Sequence, residues 1–106
     1  MREAVICSPL RTPIGRYGGK LRDVDSQTLA EVIVQALLEK TKLDPNVVDE
    51  CVFGQCYPTM ESPAIGRVAA LAAGLPVEVS GSQVDRRCAS GLQAICIAAM
   101  QVQTGV

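Results

Sequence analysis

The chain has 106 residues, of which 48% are hydrophobic, and a net charge of −1. This length suffices for one small domain with a core, and the composition is that of a globular protein. The near-neutral charge argues against a nucleic-acid partner, and no apolar run is long enough to cross a membrane. Five cysteines, an odd number at irregular spacing, argue against a disulfide framework. With no leader-like pattern at the start, we expect a cytoplasmic protein.

The first third of the chain predicts a strand, a loop and a helix. Glu3–Ser8 is a short apolar run typical of a buried strand, and Pro9 ends it. Residues 11–19 form an irregular, glycine-rich loop. A helix follows, with Asp25 or Ser26 as its N-cap. Its expected buried face has the spacing of one helical stripe and consists of Leu29, Val32, Ile33, Ala36 and Leu37.

The middle of the chain predicts a turn, two strands and a helix between them. Asp44 followed by proline favours a turn or a single helical turn. Glu50–Gln55 predicts the second strand. Glu61-Ser-Pro marks the start of the next helix, which runs through Ala64–Ala73 and stops at Gly74. Val77–Val84 predicts the third strand, in which Gly81 indicates a bulge or a close approach of another backbone.

The last predicted element is a helix that stops at Gly105. Its expected buried face consists of Leu92, Ile95, Ala99 and Val102. The resulting βαβαβα order predicts a mixed, mainly parallel sheet with helices on both faces, which is the α/β class, in one domain over residues 1–106. A fourth strand is expected after Gly105, so the sequence has the pattern of a truncated α/β domain.

The candidate catalytic residue is Cys88. A short strand turns sharply before it and places the thiol at the first turn of an apolar helix. Unpaired backbone N–H groups and the positive end of the helix dipole would stabilise a thiolate and an oxyanion there. Arg86 and Arg87 add positive charge, and the small residues 89–91 leave room for an acyl group.

The alternative for Cys88 is a small buried side chain, since free cysteine is usually buried and inert. Acyl transfer through a thiol also needs a base, normally histidine. The chain contains no histidine. Cys88 is therefore at most half of a site, whose base comes from elsewhere.

The other cysteines predict core packing. Cys51 and Cys56 lack the spacing and the histidine partners of a zinc site, so we expect no metal. Cys7 and Cys96 lie in apolar patterns and receive the same prediction. Asp85 could act as a base, but a carboxylate before a turn is more often a cap or a partner of a neighbouring arginine.

The glycine-rich loop with Gly15, Gly18 and Gly19 lacks the Gly-Lys-Ser/Thr ending of a phosphate-binding loop. A tight surface turn is the favoured interpretation.

Four segments of the chain resemble, in order, the N-terminal part of a thiolase of the acetyl-CoA acetyltransferase type. They are Arg11–Gly19, Val52–Gln55, Ala69–Pro76 and Val84–Ala94. The last segment, Val84-Asp-Arg-Arg-Cys-Ala-Ser-Gly-Leu-Gln-Ala94, is a distinctive family motif. Two positions depart from the usual pattern: Asp85 stands where asparagine is common, and Ala89 where glycine is usual.

The resemblance implies that Cys88 is the nucleophile of an acyltransferase in fatty acid metabolism. An acyl group would pass to Cys88 from an acyl-CoA or a 3-ketoacyl-CoA. It would then pass either to coenzyme A or to the carbon of acetyl-CoA, and the second route gives a 3-ketoacyl-CoA, so that the overall reaction is reversible. Coenzyme A thioesters would be the substrates, with no covalently bound cofactor. The residues that bind them are not identifiable here.

The resemblance also implies partners beyond these residues. The family's activating histidine, its second cysteine and its coenzyme A loop would lie outside residues 1–106, so this piece alone should be inactive. We expect a homodimer or homotetramer in which the strand before Cys88 lies near the subunit interface. The competing hypothesis is a non-enzymatic folding or assembly module with an unreactive thiol.

Overall fold

The computed structural model describes residues 1–106. Its elements are α1 (Ser26–Thr41), β1 (Glu50–Gly54), α2 (Ile65–Ala72), β2 (Ser80–Val84) and α3 (Ser90–Thr104), with single 3-10 turns at Pro45–Val47 and Arg87–Ala89. The two strands pair in parallel across the crossover that contains α2. The predicted α/β class with a parallel sheet is confirmed. No helix combines the length and the apolarity needed to cross a bilayer.

The first predicted strand, Glu3–Ser8, is wrong. This segment has no regular secondary structure, and Val5 and Ile6 are 77% and 78% exposed. Its beginning is tied to α3 instead, because the N–H of Arg2 donates to the carbonyl of Gln103 at 3.1 Å. A strand needs a neighbouring strand for its backbone hydrogen bonds, and here both strands of the sheet pair only with each other.

Helix α1 begins as predicted, but its buried residues are not those of the predicted face. The Asp25 carboxylate accepts a hydrogen bond from the N–H of Thr28 at 2.7 Å, which lowers the pKa of Asp25. The buried residues are Ala30 and Val34, whereas the predicted Val32 is exposed. Because α1 packs on α2 and not on the sheet, only a narrow stripe is covered.

The core lies between α1, α2 and one side of the sheet, which we call the α2 face. On this face Cys51 and Phe53 pack against buried α2 residues: Ile65, Ala69 and Ala70. A Cβ on Gly81 would come within 2.2 Å of the Arg67 nitrogen. The predicted close approach at Gly81 is therefore confirmed, and it places α2 directly on the backbone of β2.

Helix α3 covers the opposite side of the sheet, which we call the α3 face. Its polar contacts run through Glu50, whose carboxylate accepts from the Ser82 hydroxyl and from the Gln101 amide. Helix α3 ends as predicted, with Gly105 in the left-handed region.

The predicted buried face of α3 is wrong. Only Ser90 and Ala94 are buried, whereas Leu92 is 66% exposed and Ile95 and Val102 are also exposed. Residues 94–100 are apolar or small on every side of the helix, so their spacing does not define one inward face.

Candidate active site

Cys88 lies in the 3-10 turn Arg87–Ala89, between the end of β2 and the start of α3. Its side chain is exposed. The turn is at the carboxyl end of a parallel strand, the edge where α/β proteins bind ligands. The predicted position at a strand-to-helix turn is confirmed, although α3 itself begins two residues later, at Ser90.

A set of short hydrogen bonds closes this turn around Cys88. The Ser90 hydroxyl accepts from the N–H of Arg86 at 2.7 Å and donates to the carbonyl of Arg87 at 2.6 Å. The N–H of Ala89 donates to the carbonyl of Arg86 at 3.0 Å, and the N–H of Arg87 to the Asp85 carboxylate at 3.0 Å. None of these bonds uses the N–H of Cys88. That donor is therefore left for an oxygen outside the turn.

The residue before the thiol, Arg87, has a strained backbone. Its φ is 49°, in the left-handed region, which costs a non-glycine residue about 1 kcal/mol or more. Its guanidinium pairs with Asp85 and lies 4.9 Å from the centre of the Tyr57 ring. The prediction that Asp85 is a partner of a neighbouring arginine is confirmed. Because the Arg87–Asp85 pair is exposed, it adds little to the free energy of folding, and its main effect is to orient the Arg87 side chain.

The turn rests directly on the end of β1. A Cβ on Gly54 would lie 2.3 Å from the carbonyl carbon of Ser90, closer than any side chain could fit. The first residue of α3 is therefore in backbone contact with the sheet. Ser90 itself is only 4% exposed.

The remaining cysteines are placed differently from the predictions. Cys51 packs against the core as predicted, and burial, with a smaller effect of Glu50, raises the pKa of its thiol to about 11. Cys7, Cys56 and Cys96 are exposed, so the core prediction is wrong for these three. Cys7 belongs to the unpaired N-terminal segment, Cys56 follows the end of β1, and Cys96 is on the exposed side of α3.

The glycine-rich loop is an exposed turn, as predicted. Two residues that contact the Cys88 turn, Ser90 and Tyr57, cannot be identified from the sequence. The sequence indicates Ser90 only as a small residue, although its position two residues after the thiol allows the hydroxyl to reach back to the preceding backbone. Tyr57 gave no signal, because its contact with Arg87 joins two loops that are distant in the sequence.

The geometry thus defines an α/β protein with a solvent-facing thiol at the carboxyl edge of a parallel sheet. The family model for the thiolase N-terminal domain matches residues 4–106. The chain belongs to the thiolase family.

Individual relatives agree with this assignment. The chain is 42% identical to the 3-oxoadipyl-CoA/3-oxo-5,6-dehydrosuberyl-CoA thiolase of Escherichia coli, over 99% of this chain and 27% of that protein. It is 34% identical to the acetyl-CoA acetyltransferase of Cupriavidus necator, with the same two coverages of 99% and 27%.

The crystal structure of the Bacillus anthracis acetyl-CoA acetyltransferase superposes with a TM-score of 0.87 at 42% identity. It matches 91% of this chain and 24% of that one. The chain therefore spans about a quarter of the length of the relatives that it matches.

Proposed function

We propose that this chain carries the nucleophile of a thiolase-type acyltransferase, and that Cys88 is the residue acylated. The reaction joins an acyl-CoA and acetyl-CoA into a 3-ketoacyl-CoA and free coenzyme A, reversibly. The observation that carries the proposal is the exposed thiol of Cys88 at the turn between β2 and α3, within the thiolase motif Val84–Ala94.

The first half-reaction transfers the acyl group to the protein. The Cys88 sulfur attacks the thioester carbonyl carbon, the bond from that carbon to the coenzyme A sulfur breaks, and the thiol proton passes to a base. Negative charge develops on the carbonyl oxygen during the attack. The N–H of Cys88, which the hydrogen bonds of the turn leave unused, and the positive end of α3 supply stabilisation for that charge.

The second half-reaction releases the acyl group from Cys88. In the synthetic direction, the α-carbon of acetyl-CoA loses a proton and forms a bond to the acyl carbon, while the carbon–sulfur bond to Cys88 breaks. In the degradative direction, Cys88 is acylated by attack on the keto carbon of a 3-ketoacyl-CoA, whose bond to the α-carbon breaks as acetyl-CoA is released. The coenzyme A sulfur then attacks the acyl carbon, and the carbon–sulfur bond to Cys88 breaks. Both directions need a base, and the chain contains no histidine. We propose that the base comes from residues other than these 106.

The proposed partners follow from the same reasoning. The substrates are coenzyme A thioesters, and the assembly is a homodimer or homotetramer. Each strand of the sheet has one edge without a neighbour, and β2, which leads to Cys88, offers its edge to a second subunit. A reducing compartment, the cytosol, suits an exposed reactive thiol.

The test is a search for the acyl-enzyme in the full-length protein. We expect incubation with acetyl-CoA, followed by acid quenching and peptide mass mapping, to show one acetyl group on Cys88. Cys88→Ala should lose the adduct and the thiolysis activity. Cys96→Ala, which removes another exposed thiol from α3, should keep both. Acetyl transfer to a different cysteine, or thiolysis by Cys88→Ala, would overturn the proposal.

A second candidate is an assembly module without chemistry of its own. The observations that favour it are the exposed apolar side chains of α3, among them Leu92, Met100 and Val102, and the lack of a histidine. In that case Cys88 would accept no acetyl group from acetyl-CoA, even in the full-length protein. Reaction of Cys88 with iodoacetamide only under denaturing conditions would point the same way.

A further inference from the structure

We infer that Ser90 is a positioning residue for Cys88, acting through its hydroxyl, an inference that rests on the proposed role of Cys88. A serine hydroxyl has one proton to donate and accepts hydrogen bonds through its oxygen. Ser90 donates to the carbonyl of Arg87 and accepts from the N–H of Arg86. These two residues precede the thiol and Ser90 follows it, so the hydroxyl joins the chain on both sides of Cys88.

The arrangement differs from an ordinary helix cap. The N-cap of α3 is Ala89, which has no side chain able to accept a hydrogen bond, and the first turn of the helix receives no side-chain cap. The Ser90 hydroxyl instead bonds backwards, to the residues of the turn. Its hydrogen bonds therefore serve the conformation of the segment that carries Cys88.

Burial and backbone contact make Ser90 a fixed point. The residue is 4% exposed, so water cannot easily replace its hydrogen bonds. Its backbone is held against the end of β1, where Gly54 leaves no room for a side chain. The hydroxyl thus connects a rigid point on the sheet to the turn.

The turn needs such a restraint because Arg87 has an unfavourable backbone conformation. Arg87 has a φ of 49°, and its carbonyl accepts from the backbone N–H of Ser90 as well as from the Ser90 hydroxyl. Its side chain is held only at the surface, by the Asp85 carboxylate and the Tyr57 ring. Without the Ser90 hydroxyl, Arg87 can relax towards negative φ. That relaxation would rotate the following peptide, which carries the N–H of Cys88, and would move the sulfur.

The test compares acylation kinetics of full-length variants. In Ser90→Ala, we expect the rate of acetyl transfer to Cys88, followed by rapid quenching and mass spectrometry, to fall by about 10- to 100-fold with little change in KM. Ser90→Thr, which keeps the hydroxyl, should restore most of the rate. The matched control is Ser62→Ala, since Ser62 is 1% exposed and its hydroxyl bonds to that of Ser26 and not to residues of the Cys88 turn.

A second readout does not depend on catalysis. We expect the ratio of iodoacetamide labelling rates at Cys88 and at Cys96, another exposed thiol, to change in Ser90→Ala and to stay constant in Ser62→Ala. If Ser90→Ala does not fold, Ser90→Cys fills the same space with a weaker hydrogen-bonding group and should show the same losses. Fragmentation of the labelled peptide by tandem mass spectrometry distinguishes Cys88 from the thiol introduced at position 90.

The outcomes separate this inference from the proposed function. Absence of an acetyl group on Cys88 in the unaltered protein would overturn the proposed function. Acetylation of the unaltered protein with an unchanged rate and an unchanged labelling ratio in Ser90→Ala or Ser90→Cys would overturn the role of Ser90 alone. An equal loss of rate in Ser62→Ala would show a general effect of buried serines and would also overturn it.

Discussion

The two faces of the small sheet are covered in different ways. On the α2 face, glycine and alanine bring α2 into backbone contact with the strands, and the helix buries half of its residues. On the α3 face, the glycine contact lies at the start of α3, where Gly54 meets the backbone of Ser90. Further along, the Gln101 amide of α3 donates to the Glu50 carboxylate, which also accepts from the Ser82 hydroxyl. The α2 face therefore supplies stability, and the tight part of the α3 face supplies a defined position for Cys88.

Glycine-to-alanine substitutions should give the largest difference in unfolding free energy between the two faces. A Cβ on Gly66 would lie 2.2 Å from the carbonyl oxygen of Cys51, a backbone atom that cannot move aside. Gly66→Ala should lower the free energy of unfolding by about 3 kcal/mol or more, measured by urea denaturation. The matched change is Gly91→Ala on α3, where a Cβ meets nothing within 4 Å.

Gly91→Ala should leave stability unchanged or raise it by up to about 1 kcal/mol, because alanine favours the helix. Similar losses at both glycines would show that the two faces are packed alike.

A smaller effect is expected from the thiol on the α2 face. Burial raises the pKa of Cys51 from the ordinary 9.0 to about 11. The unfolded chain therefore loses this proton first, so stability is full below pH 9 and falls as the pH rises towards 11. This pKa shift corresponds to a contribution of about 2.7 kcal/mol at most to the free energy of unfolding. Because the thiol is partly exposed, we expect a contribution on the order of 1 kcal/mol.

Urea denaturation between pH 8 and 11 measures this contribution. Cys51→Ala should remove it, whereas Cys96→Ala, at an exposed thiol, should leave it in place. A pH dependence that is identical in the unaltered protein and in Cys51→Ala would contradict the burial of this thiol.

The smallest expected effect comes from removing one methylene group on each face. Ile65, in α2, is buried, so Ile65→Val should cost about 1 kcal/mol of unfolding free energy. Ile95, in α3, is 47% exposed, and Ile95→Val should stay within about 0.5 kcal/mol. Equal losses of unfolding free energy would mean that Ile95 is as buried as Ile65, and would contradict the difference in packing between the two faces.

Local features of the fold could be predicted from the sequence, because each depends on residues close in the chain. Asp25 caps α1 through a bond to Thr28, and Gly105 ends α3 in a left-handed conformation, as expected from residue type alone. The position of Cys88 between a strand and a helix was also predictable, since the apolar run, the turn and the helix follow one another directly.

Features that depend on distant partners could not be predicted. Glu3–Ser8 has the composition of a strand, but composition does not provide a neighbouring strand. The apolar residues of α3 do not say which side meets the sheet, because contact is set by Gly54 and Glu50 on β1. The role of the Ser90 hydroxyl depends on the left-handed conformation of Arg87, which residue type does not reveal.

The pairing of β1 with β2 has a consequence for the order of folding. Its first partners, Glu50 and Ser80, are thirty positions apart in the sequence, and no hairpin turn can bring parallel strands together. The chain must close this long loop before the ladder provides any energy, which makes such pairings slow. We expect the assembly of β1, α2 and β2 to limit the folding rate, so that the turn with Cys88 takes its shape only after the sheet beneath it exists.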